Sequence, residues 1–216
     1  MTTSSIDAIA GIQVPGSALA REATEFIRDT EDELLFNHSR RVFFFGALQG
    51  VRRGLRPDVE LLYVGAMFHD LGLTERYRDS QIRFEVDGAD AARDFLTAHG
   101  VDEADAAKVW LGIALHTTPG VPEFLAPEVA LLQAGVEVDV LGVGREQLAP
   151  EALAAVTAAH PRPQFKQRIV AAFHDGMKHR PQTTFGTMND DVLAHFDPAF
   201  ERVDFVEQIL HNGWPE

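Results

Sequence analysis

The feature that most constrains this chain is its punctuation. Segment after segment opens on Ser, Asp or Pro, carries apolar residues at helical spacing, and stops at Gly or Pro. Ser17 opens a segment to about Thr30, with Leu19, Ala23, Phe26 and Ile27 recurring along it. A second runs from about Asp32 to Arg53 through Leu34, Leu35, His38, Val42, Phe45 and Leu48. Pro57 and Asp58 open a third, which is expected to stop near Gly72. Asp87 is expected to cap DGADAARDFLTAHG and Asp102 to cap DEADAAKVWLGIALH. Pro127 opens PEVALLQAGVEVDVLG, and Pro150 opens PEALAAVTAAH. With FKQRIVAAFHDGMKH and PAFERVDFVEQIL, the pattern predicts about nine helices. VEVDV alternates like a strand, but it continues the helical period of ALLQAG, so it is read as helix. No heptad persists, which excludes a coiled coil. The expected architecture is all-α, a single-domain compact helical bundle over residues 17–216. Residues 1–16, polar and ending at Pro15 and Gly16, are expected to form a flexible arm.

A chain of 216 residues, 45% hydrophobic, can build one core without disulfides. It contains no cysteine, which excludes disulfide scaffolds, thiolate zinc and iron–sulfur sites, and thiol nucleophiles. Any metal site must use His, Asp and Glu, a donor set suited to a catalytic ion. The formal net charge of −14 opposes binding to nucleic acid or an anionic membrane. A small-molecule substrate is therefore the expected partner. The first residues lack a basic stretch and an apolar run, and nothing approaches a membrane span of ~18 residues. A cytoplasmic location is expected. The FNHSRR helix and the acidic C-terminal helix each offer a face for a homo-oligomer.

Three segments place ligand-type residues inside apolar helices: FNHSRR with His38, MFHDLGL with His69 and Asp70, and GVEVDVLG with Asp139. A buried imidazole or carboxylate is costly unless it is paired or binds a metal. One divalent cation held by His38, His69, Asp70 and Asp139 would satisfy all four and leave room for water. Taken singly, each residue also reads as an ordinary hydrogen-bonded core group. The dipeptide alone is weak, because His174 and Asp175 repeat it in a basic late helix, where it reads as structural or as lining the site.

Order and context raise the first set. His, then His-Asp followed by Leu-Gly, then Asp in a later helix resembles the HD superfamily of metal-dependent hydrolases. FNHSRRVFFFG, GAMFHDLGLT, RFEVDGADAARDFL and ALLQAGVEVDVLG look like consecutive blocks of that family. HPRPQFKQRIV and KHRPQTTFG are similar to its cyanamide hydratase-like branch. The resemblance covers about Leu34 to Gly186. It implies metal binding by His38, His69, Asp70 and Asp139, an all-α fold, and a metal-bound water as the attacking group. The ion is expected to be a divalent transition metal, one per chain, with zinc, iron or manganese foremost.

The sequence departs from the phosphohydrolase branches. Where many members carry lysine after HDxG, or glutamate three residues after the aspartate, this chain has Leu73. Between Asp70 and Asp139 only His99 and His116 are available as extra ligands. His99 sits at a helix end, which suits a surface role. His116 is placed beside the metal or against substrate. Asp70, His116 and Glu85 are the expected catalytic residues, with Glu85 either relaying protons or pairing with Arg83. Thr74, Arg83 and Thr117 are the expected substrate contacts. Arg76, Arg78 and Arg83 form a basic patch that would hold a phosphate if the substrate were a phosphomonoester. Phe43, Phe44 and Phe45 are expected mainly in the core. A hydrolase or hydratase acting on a small nitrile-type compound leads. Phosphomonoester hydrolysis and a degenerate ligand-binding domain follow. LGVGREQ lacks the lysine of a phosphate-binding loop, and no G-x-S-x-G elbow occurs.

Overall fold

A computed structural model describes residues 8–211 together with 213 and 214. Among them are ten α-helices: α1 (Ala18–Thr30), α2 (Glu33–Arg53), α3 (Val59–Phe68), α4 (Phe84–Ala98), α5 (Glu103–Leu115), α6 (Pro127–Val136), α7 (Pro150–Ala159), α8 (Phe165–Met177), α9 (Asn189–Phe196) and α10 (Phe205–Leu210). The fold is all-α, as the punctuation predicts. Ser17 accepts from the Ala20 amide, Asp32 from Leu35, Asp58 from Glu60 and Leu61, and Asp102 from Asp105, each satisfying amides that the first turn leaves open. Pro127 and Pro150 begin α6 and α7, where a missing N–H costs nothing. VEVDV is helical: Glu137–Leu141 forms a π turn continuous with α6 and ended by Gly142 at φ +75°.

Helix α2 is the axis of the molecule. It packs against α1, α3, α6, α7 and α8, so neighbours surround much of its circumference. Phe43, Phe44 and Phe45 are therefore all buried, although three consecutive residues cannot share one helical face. The α2–α6 crossing brings backbone onto backbone. A Cβ on Gly46 would lie 2.5 Å from the Leu131 carbonyl oxygen, and one on Gly135 would lie 2.2 Å from that of Val42. The main core draws on α1–α7. A second cluster joins Leu34, Leu35, Leu73 and Phe84 to Phe165, Ile169 and Met177 of α8 and Leu193 of α9. Arg180, fully buried, fastens this C-terminal layer by donating to the Gly176, Ile82 and Gly72 carbonyls and to Asp87.

Three expectations are corrected. Asp87 does not cap α4, which begins at Phe84; its carboxylate accepts from Ser80 and Arg180. The predicted last helix is confined to Phe205–Leu210, because Asp204 takes the Val206 and Glu207 amides and restarts the chain there; α9, only eight residues long, was not predicted. The arm is not loose over its described part. Ala8–Ile9 pairs antiparallel with Ile12–Gln13 across Ala10 and Gly11, both at positive φ, as a tight hairpin requires. Ile9, Ile12 and Val14 pack against the main core, and that contact anchors the segment. Residues 1–7 lie outside the described residues.

The glycine crossing sets how closely α2 approaches α6. Gly135→Ala is expected to lower the urea midpoint by the equivalent of about 1–3 kcal/mol through overpacking. An unchanged midpoint would mean that the two helices separate without cost.

Candidate metal centre

Two helices end at the same place. His69 follows the last residue of α3, and His116 the last residue of α5. Each turns Nδ1 back onto its own helix, 2.8 Å from the Ala66 carbonyl oxygen and 2.6 Å from that of Ile113. Both carbonyls lie in the last turn of their helix, and that of Ile113 also accepts from the His116 amide at 3.3 Å. A carbonyl only accepts, so Nδ1 carries the hydrogen and Nε2 presents a lone pair. His38, on α2, places Nδ1 2.7 Å from Asp139 Oδ2 and is fixed in the same tautomer.

The three Nε2 atoms gather around Asp70. His38 and His69 Nε2 lie 3.2 Å apart, and 3.5 and 3.4 Å from Asp70 Oδ2; His116 Nε2 lies 3.5 Å from Oδ1. Neither Asp70 oxygen nor His116 Nε2 has a hydrogen-bond partner, and all four residues are buried. His38, His69 and Asp70 each offer a ligand atom within 4.8 Å of the others. Acceptors converge here with no donor, an arrangement that a cation satisfies. The residues fit a divalent metal. Burial, with His116 and His38 beside it, lowers the His69 pKa to about 3 against the pull of Asp70, so its imidazole is neutral near pH 7 and ready to donate a lone pair. Burial works against the Asp70 charge, but His69, His116 and His38 hold its carboxyl well below the usual range. Burial also opposes a charge on His116, yet Asp70 and Glu85 raise its pKa above the ordinary value.

Asp139, expected among the ligands, lies outside the group that His38, His69 and Asp70 form within 4.8 Å. The π turn presents its carboxylate to Nδ1 of His38, the ring position that faces away from the other imidazoles. Arg41 holds it in a fork, Nε to Oδ1 and Nη2 to Oδ2, both at 2.9 Å. Arg162 Nε lies 2.9 Å from Oδ1, and its Nη2 donates to the Asp139 carbonyl at 2.5 Å. This carboxylate is thus bonded to His38 and to two guanidiniums. A cleft of about 430 Å³ reaches Asp139 and Arg162 from the outside, between Phe45, Arg145, Leu148 and Leu153.

Glu85 lies at the His116 end. Its Oε1 accepts from Arg83 Nη2 at 2.8 Å, Thr117 Oγ1 at 2.5 Å and Asn189 Nδ2 at 2.9 Å. Burial raises its pKa, but Arg83, His116 and Thr117 outweigh this and keep the carboxyl ionised. Glu85 therefore pairs with Arg83, the second of its two readings, and has no proton to give near neutral pH. Arg83 also donates to Thr117, while Thr74 donates its hydroxyl to Leu71 O. Arg78 pairs with Glu75 at the surface, and Arg76 lies over the Phe26 ring. His99 is exposed and bonded to Glu22. His174 stacks on Phe196, and Asp175 pairs with Lys178, so the second His-Asp pair has a structural role.

Sequence reasoning missed Arg41, Arg162 and Asn189. Arg41 follows His38 by three residues on α2, a spacing that signals a shared face. Asn189 carries no such signal.

The family model for the HD domain matches residues 35–160, more than half of the chain. The chain belongs to the HD domain family. The match contains His38, His69, Asp70, His116 and Asp139 and ends before His174 and Asp175. No curated protein matches the chain.

Because the Asp139 carboxylate is bonded to His38 Nδ1, Asp139→Asn is expected to weaken metal binding about 10–100-fold without abolishing it. Competition with a chelator, on protein shown to be folded by circular dichroism, measures this. Loss as complete as in Asp70→Ala would make Asp139 a direct ligand.

Proposed function

We propose that this HD domain is a metal-dependent hydrolase or hydratase acting on a small, compact substrate, with a nitrile-type compound such as cyanamide as the leading class. One observation carries this reading: His38 Nε2, His69 Nε2, His116 Nε2 and both Asp70 oxygens face one another without a donor among them. His38, His69 and Asp70 would hold one divalent transition metal, zinc, iron or manganese, and His116 would complete the set. Such an ion supplies Lewis acidity and lowers the pKa of a coordinated water toward neutrality.

The chain supplies the rest. Asp139 fixes the His38 ring, and the Ala66 and Ile113 carbonyls fix the other two, so the donors need no rearrangement when the ion binds. Phe165 lies 5.4 Å from the His38 ring and Phe84 5.6 Å from His116, walling the site with apolar surface. Exclusion of water strengthens every charge interaction inside. The enclosure favours a substrate of few atoms. Arg83 and Arg78 are committed to Glu85 and Glu75, which weakens the case for a phosphoester. Thr117 and Arg83, next in line after His116, are the nearest candidates for substrate contact. The chain's acidity argues for a small-molecule partner over nucleic acid. Among the described residues, no helix is long and apolar enough to cross a membrane.

Elemental analysis of protein purified without chelator is expected to find about one transition metal per chain, absent in His69→Ala. Hydration of cyanamide, assayed as urea formed, should disappear with the metal. Phosphate release from a nucleotide panel with no urea formed would move the assignment to a phosphohydrolase. No metal, even after reconstitution, would overturn both.

A further inference from the structure

The cleft that reaches Asp139 from the outside has no part in the chemistry proposed above. None of His38, His69, Asp70 and His116 lines it. It opens beside the π turn and α7, on the side of His38 where Nδ1 meets Asp139. Its volume is about 430 Å³, room for a small organic molecule. Phe45, Val138, Leu148 and Leu153 give it an apolar wall, and the first three are buried.

The polar side is built from charged groups. Asp139, only 2% exposed, is already bonded to His38, Arg41 and Arg162. Arg162 serves both places: it bonds Asp139, and it lines the cleft with its side chain 30% exposed. Arg145 lines the cleft as well, and among the described residues no acid pairs with its guanidinium. Its mount is firm. Arg145 opens the short turn Arg145–Gln147 directly after Gly144, whose carbonyl accepts from Gln49 Nε2 at 3.0 Å. Gln49 is fully buried on α2. Around Asp139 and the cleft, Arg41, Arg145 and Arg162 face only Asp139 and Glu146. One positive charge is left over, in a chain whose net charge is −14. A spare guanidinium beside an apolar wall suits a monoanion with a hydrocarbon body, and guanidinium geometry matches a carboxylate.

We propose that this cleft binds a small aliphatic monocarboxylate, with the carboxylate on Arg145 and Arg162 and the chain against Val138, Leu148 and Leu153. A phosphate would bring a second negative charge beside Asp139 and leave the apolar wall unused. The site is separate from the metal centre and does not depend on the reaction assigned to it.

The test titrates sodium hexanoate into the full chain and follows the methyl resonances of Val138, Leu148 and Leu153. Saturable shifts at those methyls are expected, with the same Kd by calorimetry. Arg145→Gln should weaken binding about 10- to 100-fold, the loss of one charged hydrogen-bonding partner. Ala154→Trp should fill the cleft and abolish the shifts. Both positions are exposed, so both variants should fold, which circular dichroism checks. Hexanol, the same chain without the charge, should bind more weakly by the same factor as Arg145→Gln, and excess inorganic phosphate should not displace hexanoate. Folded His69→Ala should bind hexanoate as the wild type does. Absence of saturable shifts, undiminished binding in Arg145→Gln or Ala154→Trp, equal binding of hexanol, or displacement by phosphate overturns the proposal. So does loss of binding in His69→Ala, which would put the carboxylate on the metal. A wild type that takes up no metal yet binds hexanoate with these shifts would overturn the hydrolase reading and support this one.

Discussion

The mutual exposure of acceptor atoms around Asp70 is the constraint on which the rest of the structure depends. Two carboxylate oxygens and three imidazole lone pairs within hydrogen-bonding distances repel one another unless a positive charge sits among them. A chain that brings them together must pin each against that repulsion. It does so with its own backbone: the last turns of α3 and α5 offer the Ala66 and Ile113 carbonyls, and the His69 and His116 rings use them. For His38, in mid-helix with no free carbonyl, Asp139 does the same work and is itself gripped by Arg41.

The packing follows from that need. His38 and Asp139 are distant in sequence, and their meeting depends on how closely α2 lies on α6. Gly46 and Gly135 let the backbones touch, which fixes the helices more tightly than interleaved side chains would. The turn after Asp70 is held in the same way. A Cβ on Gly72 would lie 2.0 Å from the Phe84 carbonyl oxygen, and one on Gly176 would lie 2.7 Å from the Leu73 side chain. The short turn at Leu71–Leu73 is thus clasped between α4 and α8, and Asp70 has little freedom to turn away.

Much of the fold was legible, because helix starts are written in local chemistry. Ser17, Asp32, Asp58 and Asp102 sit one residue before the helices they cap, and Pro127 and Pro150 open theirs. Asp87 misled because an aspartate ahead of an apolar run looks like a cap, while its real partner, Arg180, is 93 residues away. The same limit applied at the site. Ligand-type residues in apolar settings pointed to His38, His69 and Asp70, but residue type does not say which edge of a ring a carboxylate will meet. The Asp139 carboxylate is taken up by His38, Arg41 and Arg162, while His116 is left with an open nitrogen.

The C-terminal layer ties this chemistry to access. α8 and α9 belong to a hydrophobic cluster smaller than the main core, and α8 covers the His38 end of the site through Phe165 and backs Phe84 at the His116 end through Phe173. Their polar anchors are few: Arg180 to the turn after Asp70, and Asn189 to Glu85. A segment held by fewer buried contacts opens at lower free energy than the core beneath it. The donors thus stand on helices of the main core, while the wall over them belongs to the smaller cluster. Arg180 makes the two interdependent, because the bond that closes the layer ends on Gly72, two residues from the carboxylate at the centre.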